Sequence, residues 1–175
     1  MTTANEEAER IRSYLIAQAN KLSIPDLVEK VRKDTLPVWD AAAAVPEGRL
    51  AERPGAEDWS AAEVMTHVLD MNDRGADAIE GIIAEGTIPP PIADELRHER
   101  RAGLTTVAGY QRVWTARREQ LFERVSQARG DEHLDVKITH QTFGPFSWRE
   151  WLLFMRVHDL DHMRQLQSIA HQLGT

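Results

Sequence analysis

The sequence contains no cysteine, and this absence removes several kinds of site at once. Disulfide bonds, thiolate metal ligands and a nucleophilic cysteine of the chain's own are all excluded. Any thiol chemistry must therefore use a thiol that comes from outside the chain.

Long apolar runs and an excess of positive charge are also missing. No stretch approaches the length needed to span a membrane, and the net charge is -7. Nucleic acids and anionic membranes attract basic surfaces, so we expect neither of them as a partner. The start of the chain carries Glu6, Glu7 and Glu9 without an apolar core, so we expect no secretory signal and a cytoplasmic location.

What is present is a globular composition, with 42% hydrophobic and 28% charged residues in a chain of 175. A chain of this length can bury one continuous core, so we expect a single domain over residues 1–175. Five segments have the apolar spacing and the end signals of amphipathic helices. They cover about residues 5–21, 25–44, 60–85, 104–128 and 147–173. Helices at this density favour an all-α bundle.

Two of these helices have clear start signals. Ser60 with Glu63 and Ser147 with Glu150 both have the spacing of a capping box, in which each side chain binds the other residue's backbone amide. We therefore expect helices to begin at both serines.

Other local signals concern the connections. Pro37 predicts a kink in the second helix. The three consecutive prolines at residues 89–91 predict a stiff, extended connector, and a short helical turn through Arg97 is expected to follow it. Residues 136–139 form a brief β-prone stretch.

A pair of histidines in the last predicted helix, His158 and His162, is four residues apart. At about 100° per residue the two project from one face, one turn apart, which lets two imidazoles reach one metal ion. The same stripe carries apolar residues that direct it into the core: Trp151, Phe154, Met155, Leu166 and Ile169. The alternative is a pair of core histidines satisfied by carbonyl groups and neighbouring side chains.

A third histidine, His67, lies on the inward stripe of the predicted third helix. That stripe also carries Val64, Met71, Ala78 and Ile82. A lone histidine there is more often a satisfied core residue, but a bundle brings facing helices within side-chain reach. Three imidazoles would leave coordination positions open, as in catalytic zinc sites. The pattern predicts one divalent metal at His67, His158 and His162.

Two motifs, in this order along the chain, resemble those of the DinB/YfiT-like family of metalloenzymes. The first is WSAAEVMTH at Trp59–His67. The second is GPFSWREW at Gly144–Trp151, followed by HDLDHMRQ at His158–Gln165. The resemblance covers the chain from about Pro25 to Leu173.

This resemblance implies an antiparallel four-helix bundle with a zinc or nickel site formed by His67, His158 and His162. The helix at about residues 5–21 is then an additional N-terminal packing element. That helix and the long proline-rich loop after Gly86 leave open what shapes the mouth of the pocket.

Four polar side chains near the histidines are candidates for supporting or catalytic roles. Asp70 and Asp161 are placed either to orient ligating imidazoles or to occupy a solvated position or a local salt bridge. Asp159 is a candidate catalytic base, in the manner of the acid that follows the first histidine of a zinc-protease helix. Gln165 resembles the family's glutamine at that place and is a candidate to orient a ligand or bound water.

Further out, Arg74 projects near the direction of His67 and is a candidate to bind a substrate or cofactor carboxylate, or else to reach the surface. His140 is the substitute if one of the three ligands is wrong. Other histidines are expected at the surface: His98, His133 and His171. Three tryptophans are expected to be structural: Trp59, Trp148 and Trp151.

The resemblance implies a metal-dependent transferase that activates a low-molecular-weight thiol toward a small-molecule substrate. A three-histidine metal with open positions can hold a thiol as its thiolate at neutral pH. The same site suits a hydrolase or isomerase that uses metal-bound water, and also a non-catalytic, stress-related bundle that only holds the metal. A homodimer is left open.

Overall fold

A computed structural model describes residues 4–92 and 101–174 of the chain. Within these ranges it contains the helices α1 (Ala4–Lys21), α2 (Ile24–Thr35), α3 (Pro37–Ala43), α4 (Ala61–Glu85), α5 (Val107–Ser126) and α6 (Trp148–Leu173). A 3-10 turn at Glu47–Arg49 and the short strands β1 (Ile138–His140) and β2 (Gly144–Phe146) complete it. The all-α prediction is confirmed. The helical turn predicted through Arg97 and the surface position of His98 lie outside the described residues.

The second predicted helix is divided in two at Pro37. Leu36 ends α2 and also precedes the first turn of α3. Proline has no amide hydrogen to donate to the preceding turn, and its ring collides with that turn's carbonyl group. The helical hydrogen bonding is therefore interrupted at this point, while Leu36 keeps helical backbone angles (φ -54°, ψ -39°).

The fourth predicted helix begins later than the apolar pattern indicated. The hydroxyl of Thr106 accepts a hydrogen bond from the amide of Gly109 at 3.1 Å, so Thr106 caps α5 and the first helical residue is Val107. A side-chain oxygen that satisfies a free amide fixes a helix start more strongly than apolar periodicity does.

The capping boxes at the starts of α4 and α6 are both confirmed. The amide of Ser60 donates to Glu63 Oε2 at 2.8 Å, and the amide of Glu63 donates to Ser60 Oγ at 3.2 Å. The amide of Ser147 donates to Glu150 Oε2 at 2.7 Å. These bonds set where each helix begins.

The β-prone stretch becomes a small antiparallel hairpin in which Ile138 of β1 pairs with Phe146 of β2. Gly144 has a φ of 77°, a conformation that glycine adopts without strain. The proline-rich connector joins this hairpin, because the amide of Ile92 donates to the carbonyl of Thr139 at 3.2 Å.

The four-helix bundle has α2 and α3 as one side, followed around the bundle by α6, α4 and α5. Each neighbouring pair is in contact, and among pairs of single helices α4 and α6 contact each other most extensively. Among the described residues, none of the helices combines the length and apolar composition that a membrane span requires.

The apolar core consists of two clusters stacked along the bundle. The first apolar cluster includes Leu15, Ile79, Leu121, Trp148 and Trp151. The second apolar cluster includes Trp39, Met65, Tyr110, Trp114 and Leu166. Between them lies a buried polar layer formed by His67, Asn72, Arg118, His158 and Asp159. A layer of buried polar and ionisable side chains thus separates the two apolar clusters.

Helix α1 packs against α6, outside the four-helix bundle. Its side chains Leu15 and Ala19 are buried in the first apolar cluster. The guanidinium of Arg149 on α6 donates to the carbonyl of Ala19 at 2.8 Å and to that of Leu22 at 2.6 Å. These bonds satisfy carbonyl groups at the end of α1 and anchor that end to α6.

We predict that the capping box of α4 contributes stability that acid removes. Burial opposes the ionisation of Glu63, but hydrogen bonds from Arg53 and Ser60 outweigh it and lower the pKa of Glu63 from 4.5 to about 2. The carboxylate therefore stabilises the fold above pH 4.5, and this contribution is lost as the pH falls toward 2.

Glu63→Ala should lower the free energy of unfolding by about 1 kcal/mol at pH 7, measured by urea denaturation with a chelator present. The difference from wild type should shrink between pH 4.5 and 2. Glu63→Gln is the control, because it keeps an acceptor for the Ser60 amide but cannot titrate. A loss that is independent of pH would contradict the prediction.

Candidate metal centre

Three histidine side chains from two helices meet where α4 crosses α6. His67 comes from α4 and is fully buried, and His158 comes from α6 and is 7% exposed. His162, one turn further along α6, is partly buried. All three lie on the faces of their helices that pack into the core.

The ligand atoms of this trio lie within 4.8 Å of one another. The Nε2 atom of His158 is 3.0 Å from that of His67 and 3.1 Å from that of His162. Nitrogen ligands about 2.0–2.1 Å from a tetrahedral zinc ion lie about 3.3 Å from one another. The spacing therefore fits a shared divalent ion.

The hydrogen-bonding capacity of the rings also fits a shared ion. A neutral imidazole has one N–H donor and one acceptor nitrogen. His158 Nε2 faces two other Nε2 atoms and can carry at most one hydrogen, so protons on this atom cannot satisfy both neighbours. A cation that accepts a lone pair from each of the three nitrogens would satisfy all three Nε2 atoms.

Gln165 holds His162 in the orientation that a ligand needs. Its Oε1 atom lies 2.8 Å from His162 Nδ1, so it accepts a hydrogen bond from the Nδ1–H group. The lone pair of the neutral ring is then on Nε2, which faces the other histidines. Burial and the neighbouring His158 lower the pKa of His162 to about 4, so the ring is neutral at neutral pH.

Trp59 packs directly against the histidine cluster. Its ring centroid is 5.3 Å from that of His67 in an edge arrangement and 6.5 Å from that of His162 in a stacked one. The sequence suggested only a structural role at the helix start. Because Trp59 immediately precedes the capping serine, no local spacing indicated that it would touch imidazoles from both helices.

The candidate base, Asp159, lies in a fully buried ion pair. Its Oδ2 atom accepts a hydrogen bond from Arg118 Nη2 at 3.0 Å, and Arg118 Nε donates to Asn72 Oδ1 at 2.6 Å. Burial lowers the pKa of Arg118, and the Asp159 carboxylate opposes that shift. The other carboxylate oxygen is 3.7 Å from His158 Nδ1. Asp159 thus lies on the second-nitrogen side of a candidate ligand.

Arg118 was not anticipated from the sequence, although it shares its helix face with apolar residues. Its guanidinium lies over the ring of Trp114, 4.6 Å from the ring centroid. The Trp114, Arg118 and Leu121 spacing is the signal that could have identified a buried cation on α5.

The other predicted carboxylates have partners of their own. Asp70 accepts a hydrogen bond from Arg101 Nε at 2.9 Å. The side chain of Asp161 is 77% exposed and lies 4.0 Å from Arg164. Gln165 rather than Asp161 binds Nδ1 of His162. The solvent alternative is therefore the one observed for Asp161.

The remaining candidates lie away from the trio. Arg74 is exposed and lines a separate cavity of about 390 Å³ beside the proline-rich connector. His140 is buried in β1, and its Nδ1 atom accepts hydrogen bonds from the amides of Thr142 at 3.0 Å and Phe143 at 3.2 Å. His133 and His171 are exposed, as expected.

A helical bundle that brings three histidines from two facing helices to one point defines a class of candidate metalloproteins. Within that class the chain belongs to the DinB superfamily, whose family model matches residues 27–166. The resemblance seen in the motifs is thus confirmed.

The chain is also similar to the uncharacterized protein YuaE of Bacillus subtilis (strain 168), with 22% identity over 152 residues, which cover 79% of this chain and 93% of YuaE. Helix α1 lies outside the family match.

We predict that Gln165 supports metal binding by orienting His162. Gln165→Ala removes the acceptor for His162 Nδ1–H and should weaken zinc affinity by about 10- to 100-fold, as loss of such supporting groups does elsewhere. The measurement is a competition titration against a chromogenic zinc chelator. Gln167→Ala is the matched control, because Gln167 is exposed on the same helix. Equal affinities in the two variants would contradict the role.

The buried ion pair makes a second prediction. Arg118→Met leaves Asp159 buried without its cation and should lower the free energy of unfolding by about 3–5 kcal/mol. The double variant Arg118→Met with Asp159→Leu removes both charges and should recover most of that loss. Urea denaturation of the metal-free proteins measures both, and a double variant no more stable than the single one would refute the coupling.

Proposed function

We propose that this protein binds one divalent metal ion through His67, His158 and His162 and uses it to activate a small molecule. The observation that supports this most strongly is the convergence of three imidazole nitrogens from facing helices, with separations of 3.0 and 3.1 Å at His158. Membership of the DinB superfamily is consistent with it.

Zinc or nickel is the proposed ion. Three neutral imidazoles form a nitrogen donor set that suits either metal, and the chain has no cysteine that would favour a softer ion. Three protein ligands are fewer than the four of closed structural zinc sites. The donor set thus leaves room for an external ligand.

The proposed reaction is the transfer of an external low-molecular-weight thiol to an electrophilic substrate. A divalent ion bound at the trio would supply a Lewis acid that favours the thiolate form of such a thiol at neutral pH. The chain's own groups hold the site in place, since Gln165 orients His162 and Trp59 packs over two of the rings. The thiol has to be external because the chain has none.

Metal content tests the first part of the proposal. Wild-type protein loaded with zinc or nickel and freed of excess should hold about one ion per chain. His67→Ala, His158→Ala and His162→Ala should each lose most of it while keeping the helical circular dichroism spectrum. His171→Ala is the control, because His171 is exposed on the same helix as two of the ligands. Wild-type protein that retains no metal would sink the proposal.

Turnover tests the second part. Metal-loaded protein with cysteine, glutathione or 2-mercaptoethanol should accelerate the consumption of monochlorobimane, in which a C–S bond forms as the C–Cl bond breaks and H⁺ and Cl⁻ are released. The rate should fall to the uncatalysed level in His67→Ala. Hydrolysis of ester substrates without a thiol would instead identify a hydrolase. If the protein binds metal but turns over neither monochlorobimane nor the esters, it is a bundle that only holds the metal.

A further inference from the structure

A cavity of about 520 Å³ opens beside the histidine cluster. Its volume lies within the range of small-molecule sites, which is about 300–1,000 Å³. His158 and His162 form part of its lining on α6. The other walls come from α1, which is far from α6 in sequence, and from the turn between β1 and β2.

One side of this cavity is an apolar wall formed by Ile11, Phe143, Phe154 and Val157. The rings of Phe143 and Phe154 are 5.4 Å apart between centroids, and the ring of Phe154 is 6.4 Å from that of His158. The apolar wall therefore continues directly to a candidate metal ligand. A ligand with an apolar body could bury it here while its polar end reaches the histidines.

Charged side chains occur at the open edge of the cavity. Glu7, Asp161 and Arg164 line it there, and their side chains are 60%, 77% and 73% exposed. Exposed charges of both signs contribute little selectivity for a charged ligand, because solvent screens them. The selective part of the cavity is accordingly the apolar wall.

Helix α1 supplies a part of this wall that lies outside the residues matching the family. Its residues Ala8 and Ile11 line the cavity. Arg149 anchors the far end of α1 to α6, which keeps the helix beside the cavity. The additional packing element thus also contributes to the mouth of the site.

We propose that this cavity is the substrate site, that it selects small molecules with an apolar, ring-sized body, and that α1 is the element that determines this selectivity. This inference rests on the proposed function, because it takes the histidine trio as the point where the polar end of the substrate binds.

The test uses two metal-binding probes that differ only in their apolar part, benzohydroxamate and acetohydroxamate. Each is titrated calorimetrically into zinc-loaded wild-type protein. Burial of the phenyl group against the apolar wall should make benzohydroxamate bind at least about tenfold more tightly. Equal affinities would overturn the inference and leave the metal proposal standing. Failure to bind zinc at all would overturn both.

Variants of α1 test whether this helix determines the selectivity. Ala8→Trp places a large side chain in the cavity and should bring the affinity ratio of the two probes close to one, while zinc content stays at the wild-type level. Ala17→Trp makes the same change at an exposed position of the same helix and should keep the wild-type ratio. Ile11→Ala removes part of the apolar wall and should reduce the ratio. A wild-type ratio in both Ala8→Trp and Ile11→Ala would refute the role of α1.

Discussion

The burial of ionisable groups between two apolar clusters is the constraint on which the rest of this structure depends. Polar groups removed from water destabilise a fold unless they have partners, and charged groups do so most strongly. In the polar layer Arg118 is paired with Asp159 and Asn72, and the histidine nitrogens face one another. The contacts that make the bundle tolerate this layer are the same contacts that define the site, so fold and site cannot vary independently.

The two helices that supply the histidines, α4 and α6, both begin with reciprocal bonds between a serine and a glutamate. These partly buried bonds satisfy free amides at the helix starts and fix where each helix begins. The apolar stripes that pack into the core set which residues face inward. The way in which the imidazoles meet therefore follows from the packing of α4 against α6.

Features with a local cause could be predicted from the sequence, and features with a distant cause could not. The capping boxes and the inward phase of His67, His158 and His162 depend on neighbours along the chain, so spacing alone indicated them. The partner of Asp159 is on α5, and Trp59 touches both histidine helices. Such contacts follow from how helices pack, which periodicity does not specify. The interruption at Pro37 has a local cause as well, because proline removes a hydrogen bond and also introduces a clash.

Arg149 binds one end of α1, and this end is therefore the pivot of any tilt of the helix. The axis rises about 16 Å between Ala19 and Ala8, so a tilt of about 10° at the anchored end displaces the other end by about 3 Å. The same guanidinium also donates to the carbonyl of Gly130 at 3.2 Å, which links the loop after α5 to this pivot. A change at the pivot would therefore alter the width of the cavity at the other end of α1.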